Sequence, residues 1–265
     1  MPIPIFDCLT HPTLDGNWIN NKYPNKNCVE SIVIEMQENN IIGAFAVGMK
    51  NIGNYNIDTY ADFIRSKSTS LYPVAYFDFE EIKDNNSISI YLKFIKQKGY
   101  IGIKIHPRFS RISLENEYLE YIIKQANELK LVVMICTYFE SKGFSDQNNL
   151  ITLRKFLQKI DNQKIILLHS GTIHLLEMMQ IAKNFENVIL DLSYTLCKYE
   201  GSSVDLDINY LFKNFDKRIC VGSDSPEITL NQLRKRFEFF SEKIKIEKAE
   251  NIAFRNILNF TDLET

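Results

Sequence analysis

Eight short apolar runs, each followed by a segment with apolar residues at helical spacing, constrain this chain more than any other feature. The runs fall at residues 3–8, 41–47, 71–77, 100–107, 131–136, 164–171, 188–192 and 219–221. Between them, residues 28–37, 58–66, 87–98, 116–129, 150–160, 173–184 and 206–214 carry apolar positions three and four apart, the spacing of one helix face. Strands too apolar to leave one face in water, alternating with helices, predict a parallel sheet covered by helices, and eight repeats predict an α/β (β/α)8 TIM barrel. An open doubly wound sheet is the second arrangement. The sequence has neither GxGxxG nor GxxxxGK[ST] after any run, so the usual phosphate-binding turn of that fold is missing. Two further helical segments, 230–242 and 246–258, follow the eighth run. We read residues 1–265 as one barrel domain, with 244–265 as a closing C-terminal helix.

Charge narrows the function classes. The 31 Lys and Arg nearly cancel the 33 Asp and Glu, so no global field recruits nucleic acid or a membrane surface, and a small-molecule partner is expected. No run approaches the roughly 18 apolar residues of a membrane span and no basic leader opens the sequence, which predicts a cytoplasmic protein. The five cysteines, Cys8, Cys28, Cys136, Cys197 and Cys220, are odd in number and form no CxxC pair. They read as reduced thiols, mostly core filler. Oligomeric state is open, a homo-oligomer included.

In a barrel of parallel strands the C-terminal strand ends carry the active site. Polar residues cluster at such ends: His11 after the first run, Lys104 and His106 in the fourth, Cys136 closing the fifth, His169 in the sixth and Asp224 after the eighth. Three of the four histidines fall there; His174 is read within a helix, in a surface or packing role. Each residue alone also has a structural reading. A strand followed by Asp224 and Pro226 suits a helix N-cap, and a buried histidine or lysine is usually held by a hydrogen bond or ion pair. Their concentration at one set of ends favours a site. Side chains alternate along a strand, so Gly102, Lys104 and His106 share one face and Ile101, Ile103 and Ile105 the other. With the isoleucines toward the helices, Lys104 points to the barrel axis, where it needs a carboxylate such as Asp224 or an anionic substrate group.

These motifs, GIKIHP, LLHSG, ENVILDLS, GSDSP and the tail ENIAFRNILNF, resemble in order those of the amidohydrolase superfamily, in particular its amidohydrolase 2 group of metal-dependent hydrolases and decarboxylases. The resemblance implies that Asp224 is a metal ligand and general base and that His169 orients or polarises water or substrate. Two departures stand out. Where the family opens DxHxH, this chain has DCLTH, so Leu9 replaces the first histidine and only His11 remains; where the fifth strand ends in histidine, it has Cys136.

A thiolate can bind zinc, so the implied centre is one divalent metal, Zn²⁺, on His11, Cys136 and Asp224, or none if the loss at Leu9 is decisive. Substrate binding is expected at Lys104, His106 and Arg108, with a small and possibly anionic ligand. The expected activity is hydrolysis of a small amide, lactone or carboxylated substrate by activated water at the C-terminal rim. Two alternatives stand beside it: a metal-independent, lactonase-like hydrolase, and a catalytically silent barrel that binds a small ligand. Specificity is expected from the loops 15–27, 108–113 and 138–149, whose aromatic residues Trp18, Tyr23, Phe109, Tyr138, Phe139 and Phe144 either line a pocket or pack.

Overall fold

Eight parallel strands pair in sequence order in the computed structural model, which describes residues 2–19, 27–139 and 148–263. They are β1 (Ile5–Thr10), β2 (Ile41–Val47), β3 (Leu71–Tyr76), β4 (Gly102–Ile105), β5 (Val132–Cys136), β6 (Ile165–Leu168), β7 (Val188–Asp191) and β8 (Ile219–Cys220). The first and last meet. Cys8 N donates to Val221 O (3.0 Å), Asp224 N to Leu9 O (2.8 Å) and His11 N to Ser225 O (2.9 Å), closing the (β/α)8 barrel just where the first and eighth motifs lie. Tyr23 and Phe144 lie outside the described residues.

Alternation sorts the strand residues into two layers. Ile103, Ile105, Leu190 and Ile219 join the outer core under the helices, while Phe6, Cys8, Phe45, Met134, Ile166, Ile189 and Cys220 fill the interior. The expectation for β4 holds for Ile103 and Ile105 but not for Ile101, which precedes the strand and packs against the interior cluster. The helices expected between strands form α1 (Val29–Glu38), α2 (Tyr60–Lys67), α3 (Asn85–Gln97), α5 (Leu119–Glu128), α6 (Leu150–Lys159), α7 (Leu175–Ala182) and α9 (Val204–Asn214), and two single-turn helices that were not expected, α4 (Pro107–Ser110) and α8 (Thr195–Lys198), follow β4 and β7. Several are capped from within the sequence: Asp84 with Ser87 opens α3 and Asn149 with Thr152 opens α6, each a reciprocal capping box.

After β8, α10 (Leu230–Ser241) is capped by Thr229 with Gln232. Asp224 is therefore not a helix cap; the chain spends five residues beyond it before the helix begins. His174 lies just ahead of α7 rather than inside it, with Nδ1 2.7 Å from Glu177 Oε2 at the surface. The tail runs through α11 (Ile246–Glu250), a π-helical turn (Asn251–Arg255) and α12 (Asn256–Thr261). Ile257 enters the interior cluster, flanked by Phe254, Leu258 and Phe260, and Asn256 Nδ2 donates to Ile219 O (2.8 Å) at the start of β8. This segment stoppers the N-terminal end of the barrel and leaves the other end open. No described helix is long and apolar enough to cross a membrane.

Candidate active site

The open end holds a cavity of about 230 Å³ whose floor and walls include His11, Lys104, His106, Arg108, His169 and Asp224. Backbone conformation aims several of these groups. His169 (φ 64°), Tyr194 (φ 62°) and Asp224 (φ 62°) all leave their strands in the left-handed region that side chains other than glycine rarely adopt. Such conformations cost about 1–3 kcal/mol each and cluster at sites whose surroundings hold them in place.

On the β1, β4 and β8 side, three groups form a chain. His11 Nδ1 lies 2.8 Å from Val47 O, which can only accept, so Nδ1 carries the proton and Nε2 is an acceptor. Lys104, 1% exposed, donates through Nζ to Nε2 across 3.1 Å. Asp224 Oδ1 stands 3.3 Å from the same Nε2. Two acceptors that close repel one another, and the Lys104 charge, which acts on both, offsets that repulsion. Burial first, then the Lys104 charge, pulls His11 down to about 4, so the ring is neutral at pH 7. Burial also lowers Lys104, against the pull of Asp224 and Cys136. For Asp224, burial is outweighed by nearby positive charge, that of His169 foremost and of Lys104 with it, which holds the carboxyl at about 2.

The β5, β6 and β7 side is arranged differently. His169 Nδ1 faces Ser193 O (3.1 Å) and Ser193 Oγ (3.2 Å), and Ser193 Oγ donates to Asp191 Oδ2. The carbonyl again places a proton on Nδ1, leaving Nε2 free of this network. Burial disfavours the charged ring, yet Cys136 and Asp224 outweigh it and push His169 up to about 9. Burial would raise the Cys136 thiol; His106 and His169 beside it outweigh burial and bring it well below the ordinary thiol range. His106 is held low by burial despite the thiolate, and its Nδ1 accepts from Phe109 N (3.4 Å) at the head of α4.

Around these lie groups suited to binding. Arg108 sits with its guanidinium 4.7 Å from the Tyr138 ring centre and 5.5 Å from that of Phe109, and its Nε is buried without a hydrogen-bond partner among the described residues. Trp18 stacks on His11 (5.1 Å, 26°) and donates through Nε1 to Glu227 Oε1 (3.1 Å). Sequence reasoning had no role for Asp191, Ser193, Tyr194 or Glu227. Asp191 and Ser193 were visible as the DLS of ENVILDLS, which ends β7 as the other motifs end their strands.

The expected metal ligands lie at this end but are not drawn into a cage. His11 and Asp224 approach to 3.3 Å, yet among the described residues no third His, Cys, Asp or Glu ligand atom, that of Cys136 included, lies within 4.8 Å of both. A ligand set for Zn²⁺ needs donors about 2.0–2.3 Å from one ion. The nearest group to His11 Nε2 is instead the Lys104 amine, and Leu9, standing for the lost histidine, is fully buried in the apolar interior cluster. As arranged, these residues do not fit a divalent cation.

The fold is widely shared. At 15% identity the chain superposes on an uncharacterised TIM-barrel protein from Bordetella bronchiseptica with a TM-score of 0.83, covering 98% of this chain and 100% of the other. Its TM-score is 0.72 with 2,6-dihydroxybenzoate decarboxylase from Rhizobium (11% identity; 99% of each chain). It is also 0.72 with a dihydroxybenzoic acid decarboxylase from Polaromonas solved with manganese and 2-nitroresorcinol (14% identity; 99% and 98%). No curated protein matches the sequence. The family model for amidohydrolases of the Amidohydro_2 type matches residues 82–244, which run from the head of α3 through β4 to β8 and α10 and so carry Lys104, His106, Arg108, Cys136, His169 and Asp224 but not His11. With its eight-stranded barrel and motifs at the strand ends, the chain belongs to the amidohydrolase family.

Proposed function

We propose that the pocket hydrolyses a small carboxylated amide or lactone without a metal at the rim, Lys104 supplying the positive charge that the reaction needs. The observation that carries this reading is the Lys104 Nζ seated 3.1 Å from His11 Nε2 beside Asp224. Arg108, with its unpartnered Nε, binds the substrate carboxylate, bidentate geometry being available to a guanidinium. Water held by Asp224 attacks the carbonyl and gives its proton to that carboxylate. The oxyanion that forms is met by Lys104 and by the protonated Nε2 of His169. As the tetrahedral carbon collapses, His169 protonates the departing nitrogen or oxygen, and the proton on Asp224 then restores His169. His106 keeps the Cys136 thiolate paired, and so keeps His169 charged.

The test is a panel of carboxylated lactones and amides assayed after exhaustive chelation. Turnover that persists, and that falls in Lys104→Met, supports the reading; turnover lost on chelation and restored by Zn²⁺ or Mn²⁺ overturns it. The likeness to two decarboxylases supports a second reading, in which the same His169 acid protonates a ring carbon as CO₂ leaves. Measuring CO₂ release from dihydroxybenzoates separates the two.

A further inference from the structure

Beneath the rim, three adjacent strands each turn one metal-binding side chain into the barrel. Cys8 on β1 and Cys220 on β8 belong to the interior cluster, and Asp191, two residues beyond the interior Ile189, faces the same way on β7. Asp191 and Cys220 are register partners, and the neighbouring β8 and β1 are tied by Cys8 N to Val221 O. The layer is thus fixed by the main chain. The two sulfurs and a carboxylate oxygen all lie within 4.8 Å of one another, the one such group of three among the described residues. All three residues are 0% exposed.

What these groups lack is as informative as where they stand. Asp191 Oδ2 accepts from Ser193 Oγ and, at 3.5 Å, from His169 N; its Oδ1 is buried with no hydrogen-bond partner. A buried carboxylate oxygen that no protein donor reaches is disfavoured. The thiols contact each other and otherwise make only long contacts with main-chain carbonyls, Cys8 Sγ to Phe6 O at 3.9 Å and Cys220 Sγ to Leu190 O at 3.7 Å. Two sulfurs and one oxygen are a donor set for a borderline-soft cation rather than for magnesium or calcium. We propose that Cys8, Cys220 and Asp191 hold one zinc-class divalent cation inside the barrel, separate from the rim site.

Two thiolates, a carboxylate and a divalent cation leave one net negative charge. That charge faces the positive groups of His169 and Lys104, both of which act on Asp191 or are acted on by it. Burial disfavours ionisation of Cys8 and Cys220, so the ion must displace two protons and enters as the barrel closes, coupling its binding to folding. The ion is structural. It also fixes Asp191, and through Ser193 the ring of His169.

Elemental analysis of the full chain purified without chelator tests this. One zinc per chain is expected, surviving dialysis against chelator, absent from Cys8→Ser and Cys220→Ser and kept in Cys136→Ser. Because the serine variants alter the core, growth on cobalt examines the unaltered chain: thiolate-to-cobalt absorption with the intensity of two sulfurs supports the site. A cobalt spectrum without a sulfur band overturns it, as do metal-free protein, metal lost with Cys136→Ser, or a Cys8–Cys220 disulfide found by peptide mass.

Discussion

Two buried histidines at the same rim are in opposite states. His11 and His169 both donate through Nδ1 to a main-chain carbonyl, and both are almost wholly buried. One is drawn down to about 4 and the other up to about 9. Burial works against the charged ring in each, so it cannot be the cause of the difference. The neighbours are. His11 has the Lys104 amine at its free nitrogen, whereas His169 has Cys136 and Asp224 as charged neighbours. Identical side chains become an acceptor on one side of the pocket and an acid on the other, which is how one site holds both states needed for proton transfer at neutral pH.

The contrast breaks most severely at the residue both histidines share. Asp224→Asn removes the base and one of the charges that keep His169 protonated; kcat should fall by about 10²–10⁴, and the His169 titration, followed by imidazole NMR, should move down from about 9. A His169 titration that does not move would mean Asp224 is not what charges it. Lys104→Met should cost somewhat less, about 10²–10³ in kcat by loss of one oxyanion donor. It should let His11 rise from about 4, although burial keeps it below the ordinary value.

Ser193→Ala leaves the His169 ring but removes a hydroxyl that positions it and a donor to Asp191. We expect roughly tenfold lower kcat with KM little changed, and about 1–3 kcal/mol lower stability in denaturant titrations. The smallest effect should come from pH. His169 is raised in the folded state, so its contribution to stability is fully present below about 6.5, its unfolded value, and is lost as pH rises through about 9. Comparing denaturant midpoints of the unaltered chain and His169→Gln should show a gap that narrows across that interval; a constant gap would mean the ring is neutral throughout.

Much of this was legible in the sequence. The eight runs placed the strands to within two or three residues, because parallel strands buried on both faces are continuously apolar. Alternation placed Lys104 on the axis. The motif ends marked Asp224 and His169, and the pocket contains both. What sequence could not supply is which groups touch. The ligand set His11, Cys136 and Asp224 looked coherent because all three end strands, but strand ends share a rim without sharing a point, and the long Lys104 side chain reaches the nitrogen that a cation would take. The cysteines looked like filler one at a time. Only closure of the barrel, which joins residue 8 to residue 221, puts Cys8 beside Cys220.

The left-handed turns after β6 bear on how this barrel can be improved or degraded. Thr172, a β-branched residue, sits at φ 57°, ψ −108° two residues after Ser170 at φ 45°, a conformation glycine adopts freely. A chain selected for hardiness alone would carry glycine here, as it already does at Gly171. Resistance to heat and accuracy of aim therefore pull in different directions at this corner, and a thermostability screen should find its easiest gains at the positions where turnover is most readily spoiled.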